Sequence, residues 1–370
     1  MLSSAKTPLP SNRLLSLDFL RGFIMVLLTL ESAGFYSSLA DTTTTGSFAN
    51  CIMLQFDHHP WNGLRFWDLV QPSFMFMAGV SMVYSLTRQE QQGFTWRQRF
   101  IKTLKRCGWL FFWGVLDYAV RSTGLSFELW DVLTQLSFTT LVAFLIFYWK
   151  PMYQVIVCAG LLLLTEILYR FTHVPGFDQP FTDQQNFGNY MDMVLMNKIN
   201  KGGWVAINCI PTSVHTIAGV LAGKVLMHGR QKIKTLLLWS IVCFILGYGL
   251  DVLAITPIIK RIATSSFTLA SLGWCLVFLS FAYWWIDIRG HNKHLLFFTV
   301  VGMNSIFIYL FFEIVGHRWF TEYANQITNG LMSFVKIPTS VQAIVSALCV
   351  FAAEWGICYF LYKKKIFFRV

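Results

Sequence analysis

Asp57-His58-His59-Pro60-Trp61-Asn62-Gly63-Leu64-Arg65-Phe66-Trp67-Asp68 crowds two adjacent imidazoles, two carboxylates, two indoles and an amide in front of an apolar run. That run begins near Leu69 and reaches Leu86 without a charged residue. A segment of this length and composition is a candidate bilayer-crossing helix. Titratable chemistry therefore sits at the lip of a hydrophobic span, where a membrane enzyme would keep a general base.

The rest of the chain has the same character. Of 370 residues, 55% are hydrophobic and 13% charged, against about 25% charged in a soluble domain. About ten apolar runs of roughly 20 residues, the length that crosses a bilayer core about 30 Å thick, alternate with polar loops. The sequence predicts an all-α membrane protein, a polytopic bundle of about ten transmembrane helices forming a single domain over residues 1–370. The net charge of +11 follows from topology. With the N-terminus inside, about 19 Lys and Arg fall in inside loops and about nine outside. The inside clusters run from Arg88 to Arg106, from Arg230 to Lys234 and from Lys363 to Lys365. Both termini are expected to be cytoplasmic and no nucleic-acid partner is expected. The eight cysteines show neither CxxC nor zinc spacing, which predicts buried thiols without a disulfide framework.

A polar tail over residues 1–15 precedes a first span from about Leu17 to Tyr36, whose Asp18 and Arg21 break the apolar core that a signal peptide would need. These two residues share one helical face. They either anchor the helix end as an ion pair or meet an anionic ligand arriving from the cytoplasm. Glu31 follows about 15 Å further along the helix, and an acid inside a membrane span defaults to a functional hypothesis. Outer loops are expected at about 37–66, 172–203 and 317–340, the second covering the mouth of a site near His58. Asp68, at the start of the second span, caps that helix or serves chemistry. Ala78-Gly79-Val80-Ser81 in the second span, and Gly219 and Gly223 in the sixth, permit close helix packing. The polar residues Asn208, Thr212, Ser213 and His215 suggest that the sixth span opens into a cavity before those glycines, with His215 as a secondary candidate. The His58-His59 pair lacks the helical i, i+4 spacing or CxxC partner of a zinc site, so no metal is expected. Neither a P-loop nor a dinucleotide fingerprint occurs.

Four pieces, in order along the chain, carry a resemblance. They are Arg13-Leu14-Leu15-Ser16-Leu17-Asp18-Phe19-Leu20-Arg21-Gly22; His58-His59-Pro60-Trp61-Asn62-Gly63-Leu64 with Asp68-Leu69-Val70-Gln71-Pro72-Ser73-Phe74; Thr264-Ser265-Ser266-Phe267; and Gly302-Met303-Asn304-Ser305. Together they resemble the heparan-alpha-glucosaminide N-acetyltransferase family, most specifically around Trp61-Asn62-Gly63-Leu64. The resemblance implies a transmembrane acyltransferase that passes an acetyl group from cytosolic acetyl-CoA to the amino group of an amino sugar on the other face. It further implies residence in a bacterial inner membrane and a homodimer. By position it makes His58 the active-site residue. The sequence departs from the family's pattern at Glu31-Ser32, at Gln71 and at Cys209-Ile210-Pro211-Thr212, which bears on the acceptor more than on the donor.

The expected chemistry needs a base, because a protonated amine has no lone pair with which to attack a thioester. Histidine, with an ordinary pKa near 6.5, suits that task. His58 is the candidate base or acetyl carrier, with Asp57 or Asp68 orienting its ring. Glu31, Asp57, His59 and Asn62 are candidates for sugar binding, and Trp61 for stacking on the sugar face. Asp18, Arg21 and Asn304 are candidates on the CoA side, and a tunnel is expected from the basic inside loops to His58. The main alternative is a transporter of amino sugars or muropeptide-derived sugars, since broken helices and intramembrane acids serve transport as well. A non-catalytic scaffold is the third reading.

Overall fold

The computed structural model describes residues 14–120, 125–334 and 338–368, so Arg13 lies outside the described residues. Among the described residues the chain is helical, apart from one isolated antiparallel bridge between Asn62 and Ile259. Helix α1 spans Leu15–Ser32 and is followed by the short helices α2 (Phe35–Ala40) and α3 (Phe48–Met53). The central part comprises α4 (Val70–Gln91), α5 (Trp96–Ala119), α6 (Val132–Leu145), α7 (Pro151–Phe171) and α8 (Phe187–Met196). Then come α9 (Cys209–His228), α10 (Lys232–Val252), α11 (Ser265–Ala282), α12 (Leu295–Met303), α13 (Ser305–Phe311), α14 (Thr321–Met332) and α15 (Thr339–Lys363).

Local chemistry sets several of these starts. Thr95 and Gln98 cap α5 reciprocally, Pro151 opens α7, and the Thr264 hydroxyl accepts from Phe267 N at the head of α11.

Six described helices are long and apolar enough to cross a bilayer, or seven if α12 and α13, bent by 72° at their break, count as one span. The other three expected spans exist as helices of a different kind. Helix α1 carries Asp18, Arg21 and Glu31, the first half of α5 is strongly basic, and α6 has only 14 residues. The chain is a multi-pass membrane protein. The expected third outer loop is largely helical, containing the end of a π-helical turn (Phe312–Phe320) and then α14.

Small residues set the closest approaches. A methyl group on Gly79 would run into the Thr216 carbonyl, and one on Gly219 into the Phe76 carbonyl. The glycines expected to be packing faces therefore pack against each other's helices, and α4 and α9 form the buried centre. Gly22 and Gly302 join α1 to α12 in the same way, which gives two of the resemblance motifs a packing role. Helices α7, α10 and α15 are mostly exposed and form the rim. The expected opening in the sixth span is closed. Thr212 and Ser213 donate to the Asn208 and Cys209 carbonyls four residues back, and α9 runs on unbroken from Cys209.

Candidate active site

Three segments meet at one end of the bundle: residues 54–69 before α4, the 253–264 loop between α10 and α11, and the 203–208 segment before α9. Asp68 is fully buried. Its Oδ2 accepts from Arg65 N (2.9 Å) and His59 N (3.3 Å), closing the turn into α4. Its Oδ1 lies 3.2 Å from His58 Nδ1. A carboxylate only accepts, so in the tautomer that bonds Asp68 the proton sits on Nδ1 and the Nε2 lone pair is free. The ring is half-buried and meets the Trp204 ring edge-on, with centroids 6.0 Å apart.

His58 faces a cavity of about 360 Å³. Glu31, Gln71, Asp131, Tyr309 and Glu313 supply polar groups to its wall, and Trp67, Trp130 and Trp204 supply indoles. Several of these are held in place by hydrogen bonds. Trp67 Nε1 donates to Glu31 Oε1 (3.1 Å), Tyr309 OH donates to Asp131 Oδ2 (2.7 Å), and Gln71 pairs with Gln135. Asp192 of α8 is also buried; it accepts from Trp130 Nε1 (3.0 Å) and Ala206 N (2.8 Å) and so fixes two parts of the wall at once. Burial raises its carboxyl to about 7, against those two donors.

Lys260, like Asp131, Tyr309 and Glu313 of the cavity wall, is a member that sequence reasoning missed. It is 6% exposed, and its Nζ lies 3.0 Å from His58 Nδ1 and 3.5 Å from Asp68 Oδ1, over the Trp204 ring. Burial pushes its ammonium down to about 8 against the pull of Asp68 and Glu31. His58 is held below the ordinary imidazole value, first by burial and then by Lys260, with Asp68 and Asp57 opposing. A signal for Lys260 was present: Lys260 and Arg261 stand among Ile258, Ile259 and Ile262 in a loop assigned to the side where positive charge is depleted.

The other candidates lie elsewhere. Asp57 is exposed and binds Arg65 (3.4 Å) and His58 N (2.8 Å). Trp61 donates to Phe181 O (2.7 Å) and packs with Ile259 and Ile262 away from the cavity, while Asn62 is exposed and pairs through its backbone. His59 lies against Gly63. His215 is fully buried between α9 and α11, 2.8 Å from Ser271 Oγ. Asp18 lies 3.9 Å from Arg21, which donates to Ser81 (2.7 Å). Asn304 sits at the break between α12 and α13 and bonds Ile366 O (3.2 Å) and Phe368 N (3.0 Å), tying down the C-terminal segment.

A second, apolar cavity of about 310 Å³ lies between α1, α4 and α11, from Phe19 and Phe281 up to Phe66 and Val70. Val70 lines both cavities. Among the described residues no three His, Cys, Asp or Glu side chains gather closely enough to hold a metal ion.

No family model matches the chain. Over 430 residues it is 24% identical to the heparan-alpha-glucosaminide N-acetyltransferase of Mus musculus, covering 97% of this chain and 61% of that protein. Over 434 residues it is 24% identical to the protein of the same name from Homo sapiens, covering 97% and 60%. The chain spans about three-fifths of the length of these curated relatives. It is a distant homologue of the heparan-alpha-glucosaminide N-acetyltransferases.

Proposed function

We propose that the chain transfers an acetyl group from acetyl-CoA to the amino group of an amino sugar, with His58 as general base. The observation that carries this reading is the His58–Asp68 pair on the wall of a polar cavity wide enough for a sugar ring; in the tautomer that bonds Asp68, Nε2 is the free base. The name of the distant relatives supports an amino-sugar acceptor and N-acetyl transfer.

In this reading the sugar amine enters as an ammonium ion, and its proton goes to Nε2. The freed lone pair attacks the thioester carbonyl, the C–N bond forms and the C–S bond breaks. The proton on Nε2 passes to the leaving sulfur, so CoA departs as the thiol; Nε2 then takes the second nitrogen proton as the amide forms and releases it to solvent. Asp68 holds the Nδ1 proton throughout and stabilises the transient imidazolium. In this reading Glu31, which Trp67 holds by a hydrogen bond, receives the ammonium or a sugar hydroxyl. The apolar cavity supports a route for the pantetheine arm, since it starts beside Phe19 and Phe281 and shares the Val70 wall with the polar cavity. The same proposal includes ten spans, cytoplasmic termini, a bacterial inner membrane and a homodimer.

One observation favours a second reading, transport of an amino sugar: the 72° break between α12 and α13, because broken helices also build transport sites. Purified protein incubated with acetyl-CoA and a panel of amino sugars tests the first reading by thiol release and N-acetyl product. His58→Ala should abolish both signals; turnover near the wild-type rate in that variant would overturn the assignment.

A further inference from the structure

Two of the resemblance motifs, Trp61-Asn62-Gly63 and Thr264-Ser265-Ser266, place no side chain in the polar cavity, yet both shape the loop between α10 and α11. Gly63 N donates to Ile258 O (2.8 Å), and Asn62 pairs with Ile259 across the antiparallel bridge. Gly63 has φ +149°, and a Cβ there would lie 2.5 Å from His59 Nε2, so a side chain would strain the backbone and displace the His59 ring beside this seam. On the other flank, Thr264 Oγ1 accepts from Ile259 N (3.0 Å) and donates to Pro257 O (2.7 Å). Ser266 Oγ donates to the same carbonyl (2.7 Å). Asp251 accepts from Ile258 N (2.9 Å), and Ile258, Ile259 and Ile262 are buried. A turn closed by Ala263 N to Lys260 O (2.9 Å) then presents Lys260 to His58.

We propose that these motifs serve to fix Lys260 beside His58, and that Lys260 is a positioning residue which keeps the His58 ring neutral and its Nε2 available. The use of that nitrogen rests on the acyl-transfer reading above; the state of the ring does not. With the Nδ1 proton donated to Asp68, an ammonium 3.0 Å away has no lone pair on Nδ1 to bond and acts on the ring as a fixed charge. The charged groups acting on the ring are Asp57 and Asp68 on one side of the balance and Lys260 on the other, while Glu31 and Arg261 act on Lys260 and Arg65 pairs with Asp57. Asp57 is exposed and paired with Arg65, so solvent and that partner weaken its pull. Asp68 is shared between the ring and Lys260. The buried ammonium is poorly screened, and burial of the ring acts in the same direction.

The test reads the ring directly and needs no turnover. Diethylpyrocarbonate carbethoxylates only unprotonated imidazole, so its rate at His58 across pH, followed by tandem mass spectrometry to separate His58 from His59, gives the ring's titration midpoint in purified, detergent-solubilised protein. Wild-type protein should show a midpoint below the free-histidine value of about 6.5. Lys260→Met should raise the midpoint by about one pH unit, a tenfold change in the protonation equilibrium. Lys260→Arg should leave it near wild type. Thr264→Val, which loosens the loop without touching the charge, should move it part of the way. A wild-type midpoint at or above the free value overturns the proposal without any variant, as does a folded Lys260→Met protein that titrates like wild type. Absence of acetyl transfer in wild-type protein that shows the expected midpoints would refute the acyl-transfer reading alone.

Discussion

Asp68→Asn separates the two roles of Asp68. The Oδ2 side accepts from two backbone N–H groups and the Oδ1 side faces His58 and Lys260. An asparagine seated with its oxygen in the Oδ2 position keeps the turn into α4, and its NH2 replaces the acceptor that His58 needs. The amide then donates to Nδ1, the ring proton moves to Nε2, and the base is lost in the wrong tautomer. General base catalysis is worth about 10²–10⁴ in rate, or about 3–5 kcal/mol of barrier at 1.36 kcal/mol per decade. Stability should suffer less. Breaking a buried ion pair from one side costs about 3–5 kcal/mol, but Lys260 already titrates at about 8. Shedding its proton at pH 7 costs about 1.4 kcal/mol per unit and relieves the uncompensated charge. The variant should therefore fold, with kcat down at least a hundredfold and KM for the amino sugar within a few-fold of wild type. Asp68→Ala, which also strands Arg65 N and His59 N, should in addition lose folded yield, since each unsatisfied buried donor costs about 1–3 kcal/mol. Steady-state kinetics and thermal melts in detergent check both. An Asp68→Asn enzyme with kcat within threefold of wild type would refute the tautomer argument.

Glu31→Gln keeps an acceptor for Trp67 Nε1 but not the charge; it should raise the KM for the amino sugar about tenfold while the melting temperature stays put, as measured by amine titration. Gly63→Ala forces a Cβ into the His59 ring and should lower folded yield on size-exclusion chromatography. Asp192 holds its proton up to about pH 7 in the folded chain, against 3.8 in the open. Its contribution to stability is therefore complete at acid pH and disappears as pH rises to about 7; Asp192→Asn should flatten that part of the melting-temperature profile. Asn304→Ala removes the bonds to Ile366 and Phe368 and should speed trypsin cleavage after Lys364 and Lys365 relative to wild type.

Helix content was legible because a bilayer imposes a length and composition that any run of twenty apolar residues displays. The six clear spans coincide with predicted ones, and the glycine stripes of α4 and α9 meet as their spacing implies. His58, Asp68 and Glu31 were legible as polar groups at the lip of such runs. Trp61 and Asn62 read as a contact surface because they stand beside a histidine, and the sequence hides that their backbone braces a loop about two hundred residues later in the chain. Lys260 was hidden for the same reason: nothing local in Ile259-Lys260-Arg261 says that the turn folds back onto His58. The break at Asn304 was equally unreadable, since no proline marks it and its amide partners lie in the C-terminal segment.

The central claim is transfer across the membrane through His58, and sealed proteoliposomes test it most directly. Acetyl-CoA is trapped in the compartment facing the basic loops, and labelled amino sugar is supplied on the His58 side. The account predicts N-acetylated sugar on the His58 side, absent when acetyl-CoA is omitted and absent in His58→Ala. Uptake of unmodified sugar into vesicles lacking acetyl-CoA, with no N-acetylated product, would contradict it.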